Sequence, residues 1–265
     1  MTKSANYHYV THGDPDKRSL LMLHGFTGSC ADWDYIAGAL TSSRRCIAVD
    51  LPGHGKTAAA KPEDYQMEKC AADLVALLND LGIGSCDLTG YSMGGRLAFF
   101  LAIHYPEKFD KVVIESASPG LAIEGERRDR VKQDHELSDA LRNMPIEEFI
   151  DQWYRMPLFA TMDQTSEAFE SMRARRLTNS RDGLSLSLRM MGPGAQPSLW
   201  EKLPGIRPKL LLVTGSLDEK YTRMASGIVK LCPAARVVII DGAGHNVHFE
   251  KPEEFVIAVN QFLNP

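Results

Sequence analysis

Gly90-Tyr91-Ser92-Met93-Gly94-Gly95 is the stretch from which the rest of this chain can be read. A short extended run, Ser85 to Thr89, leads into it, and an apolar run with helical character, Leu97 to His104, leads out. A serine between a strand and a helix, with glycine two residues before and two after, is the layout of a nucleophile elbow. The chain has to reverse sharply there, which forces the serine into a strained backbone conformation. Neighbours without side chains make that reversal sterically possible. The turn lifts the Ser92 hydroxyl clear of the sheet, and the amides and dipole at the start of the new helix point at the same place.

Working outward, strand and helix patterns alternate on both sides of the elbow. Asn6 to His12 and Ser19 to His24 read as strands around a turn at Gly13-Asp14-Pro15-Asp16. Leu20 to Leu23 is continuously apolar, as expected for a strand covered on both faces. A helix over Ala31 to Thr41, a strand over Arg45 to Val49 and an amphipathic helix over Glu63 to Leu81 precede the elbow. A strand over Lys111 to Glu115 follows it. Further on come a strand over Lys209 to Thr214, a helix over Tyr221 to Leu231, a strand over Arg236 to Ile240 and a closing helix from Pro252 to Phe262. This alternation predicts an α/β fold with a mainly parallel central sheet and helices on both faces. Between about Pro119 and Pro204 it breaks into helical, arginine-rich sequence. The expected organisation is one domain over residues 1–265, with a core of 1–118 and 204–265 and an inserted helical cap of 119–203.

The 265 residues, 44% hydrophobic and 24% charged, suffice for a large core. A formal net charge of −4 excludes the basic field that holds nucleic acid, and no polybasic run suggests a membrane surface. Cys30, Cys46, Cys70, Cys86 and Cys232 form no C-x-x-C pair and read as reduced, mostly buried thiols. With neither a secretory apolar segment nor a membrane-length run, the expected location is the cytoplasm.

A serine hydroxyl is inert until something accepts its proton. In this architecture the helpers follow in the order Ser, Asp or Glu, His, each beyond the end of a strand. Asp218, in Gly215-Ser216-Leu217-Asp218, and His245, in Gly242-Ala243-Gly244-His245, occupy those places. His245 is expected to accept the Ser92 proton and Asp218 to orient the imidazole. His248 is the rival base, though its apolar neighbourhood favours packing; His54 reads as a loop brace. No zinc spacing signature joins these residues. Two backbone amides, those of Met93 and Phe26, are the expected oxyanion donors.

Arg96 lies four residues after Ser92, in the first turn of the elbow helix, where a cation opposes the helix dipole. Either it is paired with an acid or it grips an anionic substrate. Between Gly120 and Trp200 there are ten arginines against a single lysine, Lys132, a preference that hints at carboxylate binding by some of them. Trp153 is a candidate wall of the pocket or a core residue of the cap.

Five stretches together carry a narrower resemblance: Gly90 through Arg96, Ser118-Pro119-Gly120-Leu121 with Glu126-Arg127 after it, Trp153-Tyr154, and Gly244-His245-Asn246-Val247-His248-Phe249-Glu250. End to end, the chain resembles the α/β-hydrolase-fold proteins. Within them it is similar to the 2-succinyl-6-hydroxy-2,4-cyclohexadiene-1-carboxylate synthases of menaquinone biosynthesis. The resemblance implies a lyase that eliminates pyruvate from a polycarboxylate, with the triad as base and no metal or organic cofactor. It implies substrate contacts from Tyr91, Arg96, Arg127, Trp153 and Arg176, the last chosen over its neighbours Arg173 and Arg175. The triad by itself is equally compatible with a serine hydrolase of esters or of ring-cleavage carbon–carbon bonds. A non-catalytic receptor on the same fold is disfavoured by the intact triad.

Overall fold

The computed structural model describes residues 7–59 and 61–264. Seven strands form one sheet in the order β1-β3-β2-β4-β5-β6-β7. β1 (Tyr9–His12) runs antiparallel to β3 (Arg45–Val49), and β2 (Ser19–Leu23) lies parallel beside β3. The first strand is shorter than expected, and Asn6 lies outside the described residues. The predicted helix over Ala31 to Thr41 is a 3₁₀ turn, Cys30–Trp33, that runs into α1 (Asp34–Leu40). The amphipathic helix is likewise divided into a 3₁₀ turn, Pro62–Tyr65, and α2 (Met67–Asp80).

β4 (Cys86–Tyr91) feeds the elbow and α3 (Met93–His104), followed by β5 (Phe109–Glu115). Four helices then intervene before the sheet resumes: α4 (Glu124–Asn143), α5 (Ile146–Tyr154), α6 (Glu167–Arg176) and α7 (Arg181–Met191). β6 (Lys209–Gly215), α8 (Glu219–Leu231), β7 (Ala235–Ile240), a single turn α9 (Val247–Glu250) and α10 (Pro252–Leu263) complete the chain.

Side chains of a strand alternate between the two faces of its sheet, and both faces here are covered. Leu21, Leu23, Ile47, Val49, Leu88, Val112 and Leu212 join one core with α2 and α3. Leu20, Met22, Cys46, Ala48, Val113 and Leu211 join the other with α1 and α10. The helices between β5 and β6 have their own apolar cluster, including Leu141, Phe149, Tyr154, Phe169 and Leu184.

This topology positions the site. From β2 the chain moves outward to β3, then returns to place β4 on the other flank of β2. The loops leaving β2 and β4 therefore diverge at the carboxyl ends of adjacent strands, where an open α/β sheet has its crevice. Among the described residues, no helix is long and apolar enough to cross a membrane.

Candidate active site

Ser92 has φ 49° and ψ −103°, a conformation that L-residues avoid. The turn closes because its flanking residues are bare: a Cβ on Gly90 would stand 2.4 Å from the Gly94 carbonyl oxygen, and one on Gly94 would stand 2.2 Å from that of Leu23. Hydrogen bonds hold the elbow in place, from Ser92 N–H to the Glu115 carbonyl (2.9 Å) and from Gly94 N–H to that of His24 (3.1 Å).

Loops from three different strands converge on the hydroxyl. His245 Nε2 lies 3.2 Å from Ser92 Oγ, and its Nδ1 lies 2.7 Å from Asp218 Oδ2. Asp218 caps α8, its other oxygen accepting from Tyr221 N–H at 3.3 Å. With the carboxylate on Nδ1, that nitrogen carries the proton, and Nε2 is left as an acceptor facing the serine. His245 and Asp218 are buried, so the row is shielded from competing water.

The rival base is otherwise engaged. His248 places Nδ1 2.7 Å from Glu115 Oε2, its backbone N–H donates to Oε1, and its ring stacks on Trp33 at 4.4 Å. His54 is fully buried with Nδ1 3.1 Å from the Pro52 carbonyl, and burial pushes its pKa down to about 3, keeping it a neutral brace. His8, Cys30 and Asp50 bring ligand-type atoms within 4.8 Å of one another. The Asp50 oxygens there already accept the N–H groups of Cys30 (2.6 Å) and Lys56 (2.8 Å), as in a loop brace.

Ser92 opens into a cavity of about 170 Å³. Phe26, Met93, Tyr91, Arg96, Trp153 and Arg176 all line it. Among the described residues, the N–H groups of Phe26 and Met93 donate to no protein acceptor. Trp153 forms a wall, edge-on to Phe26 at 5.0 Å and stacked on Phe149 at 6.1 Å. The Tyr91 ring lies 5.5 Å from that of His245, and burial pushes its phenol pKa well above 10, so it remains a donor.

The arginines separate by environment. Arg96 is 7% exposed. One of its nitrogens donates to the Met191 carbonyl (2.8 Å) and to Gln196 Oε1 (3.4 Å), and among the described residues no acid pairs with it. Burial without a counter-charge lowers its pKa to about 10. Arg176 is equally buried, and burial pulls its pKa down, but Asp32 at 2.7 Å and the Tyr154 hydroxyl at 3.1 Å outweigh that and raise it. Arg173 instead pairs with Asp151, and Arg175 is half-exposed beside Ser171, so of the three only Arg176 reaches the cavity.

Arg127 requires a correction. It sits in the first turn of α4, outside the cavity, with its guanidinium turned back onto Glu124 (Nε–Oε2 3.0 Å). An acid three residues earlier on the same helix satisfies it locally. The cation that α4 contributes to the cavity is Arg130, held by Asp134 at 2.7 Å. Asp32, Arg130 and Tyr221, whose ring lies 4.7 Å from that of His245, also belong to this cavity and were not singled out from the sequence. Arg130 at least lies in the arginine-rich run that carried the signal.

The profile of the alpha/beta hydrolase fold family matches residues 18–252. A Bacillus subtilis protein provisionally named 2-succinyl-6-hydroxy-2,4-cyclohexadiene-1-carboxylate synthase is 37% identical over 99% of this chain and 96% of its own length. The synthase of that name from Salmonella newport is 31% identical over 95% of this chain and 96% of its own. The chain belongs to this synthase family of α/β hydrolases. The solved MenH of S. aureus superposes with a TM-score of 0.92 at 30% identity, covering 97% of both chains. An esterase from Thermogutta terrifontis, at 23% identity and a TM-score of 0.86, shares the fold with this synthase-family chain.

Proposed function

We propose that this chain is a cytoplasmic lyase of menaquinone biosynthesis. It converts 2-succinyl-5-enolpyruvyl-6-hydroxy-3-cyclohexene-1-carboxylate into 2-succinyl-6-hydroxy-2,4-cyclohexadiene-1-carboxylate and pyruvate. The observation that carries this reading is Arg96: a buried guanidinium without an acidic partner among the described residues, facing the same cavity as Ser92. A cation left uncompensated inside a protein is costly unless a ligand supplies the anion. A substrate with several carboxylates does so, and Arg176 and Arg130, each held by its own acid, add guanidinium donors to the same cavity.

In this reading Ser92 passes its proton to His245 and removes the proton from the ring carbon that bears the succinyl carbonyl. The electrons move onto the carbonyl oxygen, where the N–H groups of Phe26 and Met93 receive the charge. They return to form the C2–C3 double bond, the C3–C4 double bond moves to C4–C5, and the C5–oxygen bond breaks. The leaving group departs as the enolate of pyruvate and takes its proton from the imidazolium. Asp218 stabilises that imidazolium in the interval. Trp153 and Tyr91 enclose the ring, and residues 119–203 act as a cap that keeps water from the enolate. The five free, buried cysteines fit a reducing cytoplasm.

The test is to supply the enolpyruvyl precursor and measure pyruvate against diene. Equal amounts of the two support the lyase. A hydrolase is the second reading, because a hydroxyl 3.2 Å from its imidazole also suits acyl transfer. No pyruvate together with rapid cleavage of simple esters would establish that reading instead.

A further inference from the structure

Phe26 is the second residue of a tight turn, closed by Gly28 N–H donating to the Gly25 carbonyl at 3.0 Å. The third residue, Thr27, has φ +66°. A positive φ at the third residue alone is the type II pattern, and glycine is the residue that normally supplies it. A β-branched residue there is strained, and such a conformation persists only where its surroundings over-determine it. Thr27 is completely buried, and among the described residues its own hydroxyl finds no partner with which to hold the turn.

The tie comes from 152 residues away. Asn179, in the link between α6 and α7, donates from Nδ2 to the Thr27 carbonyl at 2.7 Å. Its Oδ1 accepts from Gly55 N–H at 2.8 Å, which fixes the amide in one orientation. Asn179 is buried and does not line the cavity, so it acts through the turn and not on a ligand. The separate pair of Arg176 with Asp32 anchors the same helical segment to the 3₁₀ turn that follows this loop.

We propose that Asn179 is a positioning residue for the oxyanion site: it holds Thr27 in its strained conformation and so aims the Phe26 N–H at the reacting oxygen. The proposal rests on the oxyanion role given to Phe26 above. It explains how a threonine is tolerated where the turn wants glycine, and it makes that role conditional on the helical segment being seated.

The experiment uses Asn179→Ala and Thr27→Gly, singly and together. One readout is kcat and KM for pyruvate release. The other is the rate at which a fluorophosphonate modifies Ser92. There Ser92 Oγ bonds to phosphorus, fluoride leaves, the serine proton passes to His245, and the phosphoryl oxygen occupies the oxyanion position. The expected result is that Asn179→Ala lowers kcat and the phosphonylation rate by about tenfold or more while KM stays within about threefold. In the Thr27→Gly background, where the turn is favoured without help, the same substitution is expected to cost less than about threefold. An equal loss in both backgrounds, a loss confined to KM, or no loss overturns the proposal. Should Asn179→Ala not fold, Asn179→Asp keeps the acceptor for Gly55 and turns the donor to Thr27 into a second, charged acceptor, and the same comparison decides. Wild-type protein that is phosphonylated but releases no pyruvate defeats the lyase reading and leaves the phosphonylation rates to judge Asn179.

Discussion

Arg96 and Arg176 are two buried guanidinium groups in one cavity with opposite electrostatic histories. Arg176 is compensated by Asp32, whereas Arg96, among the described residues, has only carbonyl-type acceptors. Replacing Arg96 with Gln is expected to lower kcat/KM for the polyanionic substrate by about a hundredfold, ~2.7 kcal/mol, the scale of a charge-assisted hydrogen bond. Thermal unfolding should barely change, because the burial cost disappears along with the bond to Met191. A variant that fails to fold would contradict the ligand-facing role. Asp32 behaves differently. Burial raises its pKa, but the neighbouring Arg176 outweighs this and holds it below the ordinary 3.8. A carboxylate with a depressed folded pKa stabilises the fold above its unfolded value and loses that contribution as pH falls through the folded one. Asp32→Asn leaves a buried cation short of its partner, at a cost of roughly 3–5 kcal/mol at neutral pH. The stability difference from wild type should therefore be greatest near neutrality and close below about pH 4. A gap that is constant with pH would show that the ion pair is not its source.

Among the elements, the elbow is the one whose backbone leaves no latitude. A Cβ on Gly94 would stand 2.2 Å from the Leu23 carbonyl oxygen, a rigid part of the sheet. Gly94→Ala is thus expected to cost roughly 3 kcal/mol of stability and to displace Ser92 from His245, with activity lost even where the protein still folds. An alanine variant that unfolds at the wild-type denaturant concentration would remove the close-packing account of the turn. The helices between β5 and β6 show the reverse situation, in which pattern without context misleads. Arg127 and Arg130 lie on one helix only three residues apart. Which of them enters the cavity depends on where that helix ends relative to the sheet, and its first turn lies beyond the cavity.

The whole molecule is tied together across its cavity. The sheet body contributes Ser92 and Arg96 to its lining, while the helical segment contributes Trp153 and Arg176. A polycarboxylate bridging Arg96 and Arg176 would hold the segment against the body. In a Ser92→Ala variant, which binds without turnover, the substrate is expected to slow proteolytic cleavage within residues 119–203, whereas a neutral ester should not. Equal protection by both compounds would mean that charge does not bridge the two parts.

The short-range features of this protein were legible along the chain. The elbow declares itself because its steric demands fall on residues two apart. The alternation of strands and helices, the apolar β2 and the places of Asp218 and His245 follow from local periodicity and from the order in which parallel strands present their ends. The division of the α1 and α2 regions by 3₁₀ turns lies at the limit of such patterns. What only the tertiary structure decided were pairings between distant residues: Asp32 with Arg176, 144 residues apart, Thr27 with Asn179, and the exchange of Arg127 for Arg130. Side-chain periodicity tells which residues share a face of an element, but not which face of another element comes to meet it, because that is settled by packing the separate apolar cores against one another.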